Sequence, residues 1–221
     1  MIICNGCSKS GTHILTNIAK QSGFEQVGGT LIKRKPNAKM MMKGSMSLEK
    51  VLACSNSFYV HSHIAYSQEA LKTLEGNKHL FIYRDARNLA LSWLRHRNRE
   101  DSTIAVSTKN LIKLIKGGMF GVSIPDFYSG FINWIADPKT FVISFEEITS
   151  GNYSFSKLET FLEVPAGSID NSIFANSSTK NKVHSNWKDL WSDDVEAAWV
   201  EAGGISLEDS IQSLANIRKD S

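Results

Sequence analysis

Four short strand-like runs are separated along this chain by segments with helical periodicity. The runs are "MIIC" at 1–4, "SFYVHSH" at 57–63, "HLFIY" at 79–83 and "TFVISF" at 140–145. After the first run Ile14, Leu15 and Ile18 recur at helical spacing, and a helical segment also follows each later run. This alternation predicts an α/β fold with a central, mostly parallel sheet flanked by helices on both faces.

Residues with strong capping preferences mark several helix boundaries. Ser67 and Asp85 are expected at helix N-caps, Pro125 suits a first helical position and Gly23 suits a C-terminal cap. Further helical segments are expected at 108–118, 125–137, 192–202 and 206–218. No internal repeat, low-complexity tract or linker interrupts the chain, so a single domain over residues 1–221 is predicted.

The segment 24–56 shows no regular pattern. It contains the basic, methionine-rich stretch "LIKRKPNAKMMMKGSMS". We expect a mobile excursion from the sheet here, with a short helix near "SLEKVLAC". The run "KRKPNAK" lacks the interleaved aromatic residues of a nucleic-acid patch, which favours a solvated loop or part of a lid that meets an acidic acceptor.

Composition narrows the class of protein. The 42% hydrophobic and 21% charged fractions are those of an ordinary globular domain. A net charge of +3 is too small to indicate nucleic-acid binding and is compatible with a local site for a phosphate-bearing ligand. Three cysteines fit a reducing compartment, and neither a secretory signal nor a membrane-spanning apolar stretch is recognised. A cytoplasmic location without stable membrane insertion is therefore predicted.

The stretch "NGCSKSGTHIL", residues 5–15, joins the first strand to the first helix. Unpaired backbone N–H groups and the helix dipole make such a helix start attractive to anions. Lys9 adds a positive charge, Ser10 and Thr12 add hydroxyls, and Gly11 lets a phosphate approach the backbone next to His13. A P-loop-like phosphate-binding strand–loop–helix is predicted.

The loop departs from the nucleoside-triphosphate pattern G-x-x-x-x-G-K-[ST], because Lys9 stands two residues before Gly11 and not directly after a glycine. The loop therefore lacks the hydroxyl that, in that pattern, directly follows a lysine-after-glycine and holds magnesium. A P-loop-type small-molecule kinase remains an alternative, as does a plain strand–turn–helix with a solvated lysine.

Two further segments carry candidate chemistry. In "FIYRDARNLALSWLRH", Arg84 ends a strand and Ser92 lies two turns into the next helix, where the arginine can fork onto a phosphate. In "YVHSHIAYS", His61 and His63 point to one side of a strand, and one of them can act as a general base near neutral pH. Structural roles for all these residues remain open.

A metal or thiol site is another alternative. Cys4 and Cys7 form a C-x-x-C, which His61 and His63 can extend to four ligands if the two strand ends are adjacent. Cys4, however, lies in an apolar strand, where a small buried residue is expected.

Taken together, these segments resemble the sulfotransferase family that uses 3′-phosphoadenosine-5′-phosphosulfate (PAPS). The resemblance covers most of the chain in the family's order and is weakest at 24–56 and 98–136. The matching segments are "CSKSGTHIL", "VHSHIAYS", "YRDARNLALSW", "FVISFEEITSGNYSFSKLETFLEV" and "KNKVHSNWKDLWSDD". Ser8, Ala86 and Asn88 replace residues usual in the family, and the late basic loop is reduced to Lys180-Asn181-Lys182.

The resemblance implies two anion sites for PAPS and for its product, adenosine 3′,5′-bisphosphate (PAP). Lys9, Ser10, Gly11, Thr12 and His13 are then expected to hold the 5′-phosphosulfate. The residues expected to hold the 3′-phosphate are Arg84 and Ser92, with Lys180 or Lys182 closing over it.

The resemblance also implies the chemistry. The sulfuryl group moves in line to an acceptor hydroxyl or amine, His63 takes the acceptor's proton, and Lys9 stabilises charge on the leaving phosphate oxygen, with no metal. His63 is preferred to His61 because the family's base precedes an apolar residue and a turn, here Ile64.

The acceptor is not fixed by these motifs. The resemblance places acceptor selection in 24–56 and 98–136, and a small-molecule, lipid or sugar hydroxyl is the general expectation. No nucleic-acid partner is expected, and the oligomeric state is left undetermined. A non-catalytic nucleotide-binding module of the same fold is a further alternative.

Overall fold

The computed structural model describes residues 1–174 and 187–219. The chain forms two compact units, each considered by itself below. The first comprises Met1–Tyr83 and Asp137–Val183, and the second Arg84–Ala136 and His184–Ser221. The expectation of one domain over residues 1–221 stays a prediction.

The first unit contains a six-stranded sheet. Its strands are β1 (Ile2–Gly6), β2 (Glu25–Lys33), β3 (Met41–Lys43), β4 (Phe58–Ile64), β5 (Lys78–Tyr83) and β6 (Thr140–Ser144). They lie in the order β3-β2-β4-β1-β5-β6, and every neighbouring pair is parallel except β2 with β3. The predicted α/β fold with a mostly parallel sheet flanked by helices is confirmed. Because the parallel strands all run one way, their carboxyl ends share one edge.

The chain contains ten described helices. They are α1 (Thr12–Gln21), α2 (Leu48–Leu52), α3 (Gln68–Thr73), α4 (Ala86–Glu100), α5 (Thr108–Ile115), α6 (Ile124–Ile132), α7 (Phe145–Thr149), α8 (Ser156–Leu162), α9 (Asp193–Glu201) and α10 (Gly204–Lys219). No helix in the described part of the chain is long and apolar enough to cross a membrane.

The apolar periodicity of α1 is explained by its packing on the sheet. Ile14, Leu15 and Ile18 are at most 2% exposed and join the core formed with β1, β5 and β6. The helix ends as predicted, with Gly23 in the left-handed region at φ 87°. The following segment differs from expectation.

The prediction of a mobile excursion over 24–56 is wrong. The segment supplies β2 and β3, and its predicted short helix is α2. The periodicity of β2 was obscured by a register shift against β4 between Gln26 and Thr30, around Gly28 and Gly29. In the basic run, Lys33 is fully buried, whereas Arg34 and Lys35 are exposed as expected of a solvated loop.

The second unit is helical and contains α4, α5, α6, α9 and α10. Asp85 caps α4 as predicted, because its Oδ1 accepts from the N–H of Asn88 at 2.7 Å. Arg87 of α4 stacks against the ring of Trp191 at 5.0 Å and donates to the carboxylates of Glu196 and Glu208. This cluster ties α4 to α9 and α10.

Gly11 provides a test of the packing beneath the first loop. A Cβ added there would lie 2.6 Å from Cδ2 of Phe145, and φ is 110°. Gly23 has a comparable φ of 87°, and a Cβ added there would meet no atom within 4 Å. We expect Gly23→Ala to lower the free energy of unfolding by about 1–2 kcal/mol through backbone strain. Gly11→Ala should cost about 1–3 kcal/mol more, through the clash with the ring.

Urea unfolding of both variants measures this difference. Equal losses in the two variants would show that the Phe145 ring moves aside freely, which contradicts tight packing at this position.

Candidate functional site

The loop between β1 and α1 is closed by hydrogen bonds of its own. The backbone N–H and the hydroxyl of Ser10 both donate to the carbonyl of Cys7, at 3.0 and 2.7 Å. Lys9 lies in the left-handed region at φ 76°, which is uncommon for a residue with a side chain. The loop is therefore a fixed turn that projects Lys9 from its apex. The use of the Ser10 hydroxyl as a ligand contact stays a prediction, since both donors of Ser10 close the loop.

The first turn of α1 has the features of an anion site. Its N-cap is Gly11, and no side chain in the described part of the chain caps this turn. The N–H groups of Thr12 and His13 belong to the helical positions that lack an intrahelical partner, and the dipole adds positive potential. The loop therefore offers both backbone donors and the charge of Lys9 to an anion.

Glycine is required at two positions of this loop for packing reasons. A Cβ at Gly6 would lie 2.6 Å from Oγ of Ser10 and 2.8 Å from the carbonyl oxygen of Ile82. A Cβ at Gly11 would meet the ring of Phe145. The predicted reason for Gly11 was ligand approach, whereas the structure adds packing against Phe145. Its contact with a ligand stays a prediction.

Asn5 is a site residue that the sequence analysis missed. Its Nδ2 donates to the carbonyl of Ile64 at 3.1 Å, and its Oδ1 accepts from the N–H of Ile64 at 2.8 Å. The side-chain amide thus continues the pairing of β1 with β4 beyond their last peptide groups. A buried asparagine at the end of an apolar strand was the available signal, because such a group needs partners.

His63 is held beside the loop by a hydrogen bond to the end of β1. Its Nδ1 lies 2.8 Å from the carbonyl oxygen of Gly6, the last residue of β1. A carbonyl only accepts, so Nδ1 carries the proton and Nε2 carries the lone pair. Burial lowers the pKa of His63; the hydrogen bond to Gly6 opposes this, and the charges of His13, Lys9 and Arg34 reinforce it. His63 is therefore a neutral imidazole with Nε2 able to accept a proton.

His61 and His13 form the wall next to this base. Nε2 of His61 lies 3.0 Å from Oγ1 of Thr12, and its ring meets that of His63 edge-on at 4.7 Å between centroids. The ring of His13 stacks on His61 at 5.3 Å. Burial, followed by the neighbouring His63 and His13, lowers the pKa of His61 to about 3. His61 thereby supports Thr12 and the first turn of α1.

The alternative metal or thiol site is not favoured by this geometry. Cys4 and Cys7 are fully buried, and burial raises the pKa of both thiols, which disfavours the thiolate. Within residues 1–174 and 187–219, no group of three or more His, Cys, Asp or Glu side chains is arranged to hold a metal ion. The rings of His61 and His63 instead engage Thr12 and Gly6.

The structure brings Lys9, Thr12, His13 and His63 together in the first unit. Arg84 and Ser92 belong to the second unit, where the N–H and carbonyl of Arg84 both bond the hydroxyl of Tyr128 at 2.9 Å. Arg84 therefore has a fixed backbone at the start of α4. Lys180 and Lys182 lie outside the described residues. The contacts of these four residues with a 3′-phosphate stay predictions.

Comparisons with known proteins identify a solved structure with a similar fold. Neither a scan against protein-family models nor a search of curated proteins finds a match. Among solved structures, the crystal structure of mouse sulfotransferase SULT7A1 complexed with PAP is similar, with a TM-score of 0.62. The similarity covers 100% of this chain and 88% of that one, at 16% sequence identity. The chain has the sulfotransferase fold. At this identity the likeness concerns the fold alone.

The lowered pKa of His61 predicts a specific pH dependence of stability. Its ordinary value is 6.5, so in the range from 6.5 down to about 3 the unfolded chain binds more protons than the folded one. The free energy of unfolding should be highest above pH 6.5 and fall as the pH drops below it, by up to about 1.4 kcal/mol per pH unit for one group. His13 and His63 act in the same direction.

Urea unfolding between pH 7.5 and 5 measures this slope, above the range in which most carboxylates titrate. His61→Phe should reduce the slope. Thr30→Val is a matched control, because it removes only a 3.4 Å contact of the same imidazole and should preserve the slope. An unchanged slope in His61→Phe contradicts the assigned burial of a neutral ring.

Proposed function

We propose that this protein is a sulfotransferase that moves a sulfuryl group from PAPS to an acceptor hydroxyl or amine. The observation that carries the proposal is the position of His63, whose Nδ1–H donates to Gly6 at the start of the Lys9 loop. This hydrogen bond holds a proton acceptor, His63, next to the end of β1, where the proposed anion-binding loop begins. The sulfotransferase fold, shared with a protein crystallised with PAP, supports the same chemistry.

The donor is expected to bind through its two anionic groups. Lys9, the first-turn N–H groups of α1 and the hydroxyl of Thr12 are the proposed partners of the 5′-phosphosulfate. Arg84 and Ser92 are the proposed partners of the 3′-phosphate, with Lys180 or Lys182. No metal is required in this scheme, because backbone N–H groups and the Lys9 ammonium carry the charge of the leaving phosphate.

The proposed step uses two of the chain's own groups. Nε2 of His63 accepts the proton of the acceptor hydroxyl while the acceptor oxygen forms its bond to sulfur. The bond from sulfur to the bridging phosphate oxygen breaks, and the Lys9 ammonium stabilises the negative charge that develops there. The products are a sulfate ester, PAP and a proton on His63, which is passed to solvent. The neutral state of His63 suits this role at neutral pH.

Two alternatives predict different ligands. A P-loop-type kinase would bind ATP in preference to PAP, and a non-catalytic module would bind PAP without transfer. The small-molecule, lipid or sugar acceptor and the cytoplasmic location stay predictions.

Thermal unfolding with added PAP tests the donor site. PAP at about 100 times its dissociation constant should raise the free energy of unfolding by about 2.7 kcal/mol, with little effect of AMP at the same concentration. Lys9→Gln should weaken PAP binding by about tenfold, since it removes one charge next to the phosphate. Lys20→Gln, an exposed lysine in the last turn of α1, is the matched control and should bind normally. Stabilisation by ATP alone would support the kinase, and no response to any nucleotide would contradict the proposal.

The role of His63 is tested by His63→Gln. With PAPS and an acceptor, this variant should lose at least about 100-fold in transfer rate, because glutamine offers no basic nitrogen, while PAP binding is retained. Ser62→Ala is the control, because Ser62 is buried on the same strand and its hydroxyl donates to the carbonyl of Cys4 at 3.1 Å, away from the reacting groups. It should keep the rate within about threefold. Retention of transfer in His63→Gln would remove the histidine base from the mechanism.

A further inference from the structure

A basic hairpin loop follows the carboxyl end of β2. Residues 34–40 connect β2 to the antiparallel β3, with Ile32 paired to Met41. The carboxyl end of β2 lies at the edge of the sheet that carries the Lys9 loop and His63, because β2 and β4 are parallel neighbours. The loop thus begins at the edge where the proposed chemistry takes place.

Lys33 anchors this loop from inside. Its side chain is 0% exposed, and its Nζ donates to the carbonyl of Ala38 and to Oε2 of Glu69, the latter at 2.7 Å. A buried ammonium needs such partners, so the lysine fixes the far side of its own loop and links it to α3. Between these points, the N–H of Ala38 donates to the carbonyl of Lys35 at 3.0 Å, with Pro36 at the first central position of the turn. The exposed part of the loop therefore has a defined shape.

Arg34 directly follows β2 and lies close enough to His63 to influence it electrostatically. Thr30 is the register partner of His61, and Oγ1 of Thr30 lies 3.4 Å from its Nδ1. Ile32 is the register partner of His63, on the same face two residues later. Arg34 follows at the next position of this period. The charge of Arg34 contributes to the lowered pKa of His63, which agrees with this placement.

The loop carries a net positive charge. Residues 34–39 include Arg34, Lys35 and Lys39, all exposed, and no acidic residue. In the described part of the chain, neither Arg34 nor Lys35 takes part in an ion pair. A fixed basic loop next to a proton acceptor attracts an anionic group on the molecule that brings the proton.

We propose that the Lys33-anchored loop 34–39 selects acceptors that carry an anionic group, such as a carboxylate or sulfate, in addition to the reacting hydroxyl. Arg34 is the main specificity residue, since its guanidinium forks onto such groups. The inference rests on the proposed sulfotransferase function, because it concerns the acceptor side of that site. In this arrangement the phosphosulfate of the donor binds near Lys9, whereas the anionic group of the acceptor binds near Arg34, at a different part of the sheet edge.

Three phenols that differ only in their terminal group test the proposal. They are 4-hydroxyphenylacetate, its neutral amide and tyramine, which carry a negative, zero and positive charge. Their binding to PAP-saturated protein and their transfer rates with PAPS are measured at low and at physiological ionic strength. The carboxylate should be preferred to the amide by about tenfold at low salt, with a smaller preference at higher salt as the charges are screened.

Arg34→Gln should reduce this preference to about twofold or less while leaving PAP binding unchanged. Lys157→Gln, at an exposed lysine on α8, removes the same charge elsewhere and should keep the preference. Equal treatment of the three phenols, binding of none of them, or an unchanged preference in Arg34→Gln would each overturn the acceptor proposal. Failure of PAP to bind the wild-type protein would contradict the proposed sulfotransferase function. Failure of the acceptor proposal alone would leave PAP binding intact, so the two outcomes are distinguishable.

Discussion

Two hydrogen bonds between the side chain of Asn5 and the peptide of Ile64 hold the ends of β1 and β4 together. The candidate site depends on this link. β1 delivers the Lys9 loop and β4 delivers His63, and without a fixed distance between the two strand ends a proton acceptor has no defined place relative to the anion-binding turn. The Gly6–His63 hydrogen bond then orients the ring within that fixed frame. The buried side-chain amide of Asn5 thus joins two strand ends at the site in the same way that backbone peptide groups join strands inside the sheet.

The fold could largely be predicted from local pattern. Apolar runs and capping residues such as Ser67 and Asp85 act within a few residues of themselves, so the sequence displays them directly. The segment 24–56 could not be predicted in this way. The register shift in β2 breaks its alternation, and β3 has only three residues, so neither strand has a clear period. Their place in the sheet depends on pairing with distant partners.

The positions of the main candidate site residues could be predicted, but their supporting contacts could not, and their roles stay predictions. Lys9 was expected in the loop after the first strand and His63 at the end of another strand, and the structure brings both to one sheet edge. Asn5 and the burial of Lys33 were not expected, because a polar letter in a sequence does not reveal its burial or its partner. The position of the exposed basic loop near His63 could not be predicted either, because it depends on the pairing of β2 with β4. The proposed function of this loop as an acceptor-recognition element follows from topology, where the sequence left open a solvated loop or part of a lid that meets an acidic acceptor.

The first turn of α1 differs from that of several other helices, because no side chain in the described part of the chain caps it. Several other helices begin with a side chain that accepts from their first turn; these residues are Ser47, Ser67, Asp85, Ser107, Ser123 and Ser144. At α1 the chain uses Gly11 and forgoes a side-chain cap, a feature that commonly contributes about 1 kcal/mol. A serine oxygen there would occupy the donors that an anion needs. Any side chain there would, however, be strained at φ 110° and its Cβ would meet the ring of Phe145, so folding stability and anion binding both favour glycine at this position.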